Sequence, residues 1–74
     1  MTNYDINANM GTDFNVTVMD ANYDELPNPA DPDNEDSCFE LRGDLTDPSD
    51  LRKLADFMEL ATAVEGAIIA FDID

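Results

Sequence analysis

Carboxylates are the most abundant chemically capable groups in this chain. Asp31, Asp33 and Glu35 alternate in the way that oxygen ligands alternate in a calcium loop. Such a loop needs glycine at its sixth position and glutamate at its twelfth. Counted from Asp31, those positions hold Asp36 and Arg42, so the match breaks at both. No metal and no cofactor is expected. Carboxylate pairs that do acid–base work need a pocket that splits their pKa values, and a chain of 74 residues has little volume for one. Histidine is absent and Cys38 is the single thiol, which leaves neither a Ser–His nor a Cys–His pair. Asp36 and Glu40 flank Cys38, and neighbouring anions raise a thiol pKa, so an inert cysteine is expected. Gly11 and Gly66 are isolated and form no phosphate cradle. The chain reads as a non-enzyme.

The charge narrows the class of partner. Eighteen Asp and Glu stand against three basic residues, Arg42, Arg52 and Lys53, for a net charge of −15. Phosphate binding relies on Lys and Arg, so direct contact with nucleic acid is not expected, and anionic membrane surfaces are disfavoured on the same ground. Basic proteins and cations are favoured. A lone cysteine excludes an internal disulfide, no apolar run approaches the ~20 residues of a membrane span, and Met1-Thr-Asn-Tyr-Asp has no basic leader. The expected location is the cytoplasm.

The elements that would carry these acids can be read from periodicity. Tyr4, Ile6, Ala8 and Met10 alternate with polar residues, as in a half-buried strand, and Phe14, Val16 and Val18 resume the pattern after Gly11-Thr12-Asp13. The two runs read as a hairpin. Residues 21–37 carry Pro27, Pro29 and Pro32 with six acids, Asp24, Glu25, Asp31, Asp33, Glu35 and Asp36, and read as a long acidic loop. Cys38 to Asp44 reads as a third strand, with Phe39 and Leu41 inward and Glu40 and Arg42 outward. Asp47 as N-cap, Pro48 in the first turn and Asp50 near the positive dipole end open a helix that Glu65-Gly66 is expected to close. Leu51, Leu54, Met58 and Ala61 form the stripe expected to cover the sheet, while Phe57, Leu60 and Val64 form a second ridge roughly 100° around. That ridge is either a docking strip or the seat of the loop carrying Tyr23, Leu26 and Pro27. Ala67 to Asp74 closes the chain as a strand, with Asp72 and Asp74 outward. The expected fold is a single α+β domain over residues 1–74, two layers in β-β-β-α-β order, one sheet face on the helix and the other in water.

A fold of this mass exposes about 4,500 Å². Fifteen charges spread evenly give about one per 300 Å², roughly threefold sparser than the phosphates on duplex DNA. To imitate DNA the acids have to cluster. Two clusters are expected: the loop with its six acids, and an outward set of Asp5, Glu40, Asp72 and Asp74 on the strands. The helix mixes Arg52 and Lys53 with Asp56 and Glu59 and is an ordinary surface.

In size, charge and layout, through the six-acid loop, the Asp5/Glu40/Asp72/Asp74 set and the β-β-β-α-β order, the chain resembles small acidic phage-encoded inhibitors, the anti-CRISPR proteins and DNA mimics. The resemblance covers the whole chain and rests on no diagnostic motif. It implies stoichiometric binding to a basic nucleic-acid channel in a CRISPR effector complex, in the host cytoplasm, blocking target DNA. The leading expectation is therefore an acidic inhibitor of a basic nucleic-acid-binding protein, with loop shape and Tyr23 giving specificity. Two alternatives stand beside it: an assembly or homodimer module using Phe57, Leu60 and Val64, and a halophilic domain whose acids only hold water.

Overall fold

The computed structural model describes residues 3–31, 33, 34 and 36–74. It contains β1 (Asn3–Ala8), β2 (Asp13–Met19), β3 (Glu40–Asp44), α1 (Pro48–Thr62) and β4 (Ile68–Ile73), the β-β-β-α-β order expected. The four strands form one mixed sheet in the order β1-β4-β2-β3, with β1 parallel to β4 and the other pairs antiparallel. The helix packs on one face of that sheet.

The expected hairpin between the first two strands does not form. β4 lies between them, pairing Ile6 with Phe71 on one side and Val16 with Phe71 on the other. The reason is apolar content. β4 begins with Ile68 and Ile69, on opposite faces and both buried, and a strand apolar on both faces belongs at the centre of a sheet. The link from β1 to β2 consequently crosses the end of β4. Asn9 N–H donates to the Ile73 carbonyl (2.7 Å), and Asp13 and Asp74 exchange main-chain bonds of 3.0 and 2.8 Å. Gly11 is required at this crossing, because a Cβ there would overlap the main chain of Asp74.

The core is built from Phe14, Val16 and Val18 of β2, Ile69 of β4, Phe39, Ala67, and Phe57 and Ala61 of the helix. Val16, Val18 and Ile69 are fully enclosed, and burial of each contributes about 1.5–3 kcal/mol. The rings of Phe39 and Phe57 meet at 4.7 Å, tilted by 60°. Most of the expected stripe does face the core, with Ala61 buried and Leu54 and Met58 packed against it, but Leu51 is exposed and Phe57 of the second ridge is buried instead. Phe39 supplies the reason, since it offers an aromatic partner to Phe57 that Leu51 lacks. The start of the helix is as expected, with Asp47 accepting from Ser49 N–H at 2.9 Å and Pro48 in the first turn. Its end is earlier, at Thr62, and Gly66 (φ 74°) serves the turn into β4.

Two further expectations are corrected. β1 is not half-buried; all six of its residues are exposed, because α1 lies over the β3 side of the sheet, and Met10 falls outside the strand. Cys38 does not open the third strand, and the loop before it is tied to the sheet. Leu26 N–H donates to Val18 O (3.2 Å) and Phe39 N–H to Leu26 O (2.9 Å), threading this segment into the sheet, while Cys38 only bridges to Pro27 and lies outside β3. Asn28 and Asn34 side chains accept from Ala30 and Asp36 N–H (2.9 and 3.0 Å) and shape the tip.

Candidate acidic binding face

Alternation along the strands sends one set of residues to the face opposite the helix. Register then arranges them in rows. Asp5, Ala70, Thr17 and Glu40 make one row across the sheet, and Asn7, Asp72, Asn15 and Arg42 make the next. The third row holds Asp74, Asp13 and Asp44, since Asp13 pairs with Asp44 and exchanges main-chain bonds with Asp74. Neighbouring strands are about 4.8 Å apart and same-face residues on one strand about 6.6 Å apart, so acids alternate with neutral residues and Arg42 in the first two rows and stand side by side only in the third.

The last row opens an acidic basin of about 550 Å³ at the end of the sheet, lined by Asp13, Asp44, Asp50, Asp72 and Asp74 with Arg42. Asp50 reaches it from the first turn of α1, its carboxylate accepting from Asp44 N–H at 2.9 Å. Asp44 accepts from both Thr46 N–H and the Thr46 hydroxyl (2.8 Å each), which together with the Thr12 hydroxyl hold its carboxyl below the usual carboxylate range, against a smaller opposing effect of burial. A second trough of about 300 Å³ on the same face is lined by Asp5, Glu25 and Asp72 among neutral residues. Asn15 lines both depressions, and its side-chain oxygen is enclosed without a hydrogen-bond partner.

The expected site residues therefore divide. Asp5, Glu40, Asp72 and Asp74 share the outer face, and Glu25 joins them at the trough. Asp24, Asp31, Asp33 and Asp36 are exposed along the loop; Glu35 lies outside the described residues. Asp13, Asp44 and Asp50 were missed. Asp13 and Asp44 occupy the outward phase of their strands, a signal already present in the alternation, but their meeting with Asp74 depends on strand order. At the loop entrance, Asp20 Oδ1 accepts from Asn22 and Asp24 N–H (2.8 and 3.1 Å), and the turn leaves Tyr23 exposed with φ 65°, a left-handed conformation unusual for an aromatic residue.

Cys38 donates its S–H to Glu25 (2.9 Å). That bond, then burial and the charges of Glu25, Glu40 and Asp36, push the thiol pKa up. The second helix ridge is split: Phe57 is in the core, whereas Leu60 and Val64 border an apolar hollow of about 280 Å³ with Leu26, Pro27, Pro29 and Phe39. The loop has taken the seat beside that ridge. Among the described residues, no three acidic or cysteine side chains are grouped to hold a metal ion, and no helix is long and apolar enough to cross a membrane.

Compared with protein families, curated proteins and solved structures, the chain shows no significant similarity. The acidic face has to be interpreted on its own chemistry.

Proposed function

We propose that the protein is a non-enzymatic acidic inhibitor that covers a basic, nucleic-acid-binding surface of a partner protein, a CRISPR effector complex being the expected class. The observation that carries this reading is the row Asp74–Asp13–Asp44. Like charges directly opposite each other on adjacent strands destabilise a sheet, and here three acidic residues are in register across β3, β2 and the end of β4, with Asp50 beside them and Arg42 the one cation lining the same basin. An arrangement that costs stability is expected where it serves a function. Averaged over the 5050 Å² surface, the net charge is about threefold sparser than that of DNA, but at one end of the sheet the acids are gathered. Long-range attraction gives fast, salt-sensitive association, and Tyr23 on its acidic turn supplies a shaped contact that charge alone lacks.

The test is a paired measurement on wild type and the triple variant Asp13→Asn, Asp72→Asn, Asp74→Asn. Immobilised wild-type protein should retain a nucleic-acid-binding assembly from nuclease-treated bacterial lysate, and duplex DNA or guide RNA should displace it. The triple variant should release that assembly at lower salt and melt at a higher temperature. Retention that no nucleic acid displaces, or that the triple variant leaves unchanged, defeats the reading.

A further inference from the structure

We propose that the free edge of β1 is a docking rail for an extended, basic segment of the partner, which adds to the sheet as a fifth strand with apolar and Lys/Arg side chains alternating. The proposal rests on the reading of the partner as basic and specifies how it is gripped.

The argument starts from the ladder. Asn3 N–H donates to Ala67 O (3.1 Å) and Asn9 N–H to Ile73 O (2.7 Å), so the two-residue period of a parallel ladder turns the odd-numbered residues of β1 toward β4. The N–H and C=O groups of Tyr4, Ile6 and Ala8 point the other way. Among the described residues no strand lies on that side, since β1 ends the sheet. Natural sheets blunt such an edge with lysine, proline, a bulge or a covering element. Among the described residues β1 has none of these: it is six residues long, in register throughout, and carries Asp5 as its single charge.

The side chains of the same residues complete the rail. Tyr4 and Ile6 lie on the helix-side face in register with Ile69 and Phe71, yet they are 53% and 63% exposed because the helix stops short of β1. An added strand would place its apolar residues beside them and cover that surface. Its alternate residues would then lie on the outer face next to Asp5, about 4.8 Å away, with the trough of Asp5, Glu25 and Asp72 beyond. A Lys or Arg there pairs with Asp5, the one charge among the outer-face residues Asn3, Asp5 and Asn7 of β1. A second copy of this chain is a poorer occupant, since each copy brings a charge of −15.

A short acetylated, amidated peptide of alternating lysine and valine is the probe, with a peptide of the same composition in two blocks as control. Its binding to the full chain would be followed by fluorescence anisotropy and by hydrogen exchange of the β1 amides. The expected result is protection of the Tyr4, Ile6 and Ala8 amides by the alternating peptide, with binding about tenfold tighter than the block peptide. Ile6→Pro removes a free-edge donor and no ladder bond, and should abolish that preference; Ile6→Lys on the same exposed position does so without a backbone change. Equal binding of both peptides, or of both variants and wild type, overturns the rail while leaving charge-driven binding intact. Failure of both peptides to bind at low salt overturns the rail and the acidic-inhibitor reading together. Protection of the same amides without peptide, with a doubled mass in sedimentation, assigns the edge to a second copy and also overturns the proposal.

Discussion

Single residues in this protein show how its acids are held. Asp44 keeps its charge because three Thr-derived donors surround it, so the folded state favours the ionised form. A carboxyl lowered on folding stabilises above its ordinary pKa, and that contribution disappears as pH falls through the folded value. Melting of wild type and Asp44→Ala at pH 7 and pH 3 should therefore differ most at pH 7 and converge in acid. Cys38 is the opposite case: its S–H donates to Glu25, and the raised pKa keeps it neutral. Replacing Glu25 by alanine should accelerate alkylation of Cys38 at pH 8 by severalfold, as the thiolate fraction rises. An unchanged rate would mean that the contact with Glu25 does not govern the thiol. Tyr23 is held at φ 65°, where glycine is at ease. Tyr23→Gly should leave stability equal or higher while weakening recognition of the partner, which separates a contact residue from a structural one.

At the scale of elements, the helix has a strong start and a selective seat. Asp47→Ala removes the bond to Ser49 N–H and should cost about 1 kcal/mol in urea unfolding. Phe57→Ala empties the space beneath Phe39 and should cost about 3–5 kcal/mol, while Leu60→Ser on the neighbouring turn should cost little. Those two outcomes separate the buried half of the second ridge from its exposed half. The N-cap, Pro48, the strand phases and the β-β-β-α-β order were all legible in the sequence because each depends on neighbours a few residues apart. Sheet order was not. The alternation of Tyr4, Ile6 and Ala8 beside that of Phe14, Val16 and Val18 is the same whether the runs pair or are separated, and what decides it is Ile68 and Ile69, some fifty positions further on. The candidate face followed suit. Asp5, Glu40, Asp72 and Asp74 could be placed by phase, whereas the row that Asp13 and Asp44 make with Asp74 exists only once β4 is central.

For the whole molecule, the governing quantity is a net charge of −15 on an 8.2 kDa fold. Added salt screens this self-repulsion, so the melting temperature should rise with ionic strength while partner affinity falls. A protein whose acids only hold water in brine would instead be unfolded in dilute buffer; circular dichroism at low salt tells the two apart. Gly43 adds a steric limit on the whole, since a Cβ there would stand 2.6 Å from the Phe14 ring. The central position of β4 bears finally on the order of assembly. β4 follows every other element along the chain, yet it is the strand that joins β1 to β2. As the polypeptide leaves the ribosome, β2, β3 and α1 can gather early, but β1 has nothing to pair with until β4 slides in between. β1, which precedes the other described elements in the chain, is thus the last to be secured, and until then its strand remains available to any passing chain.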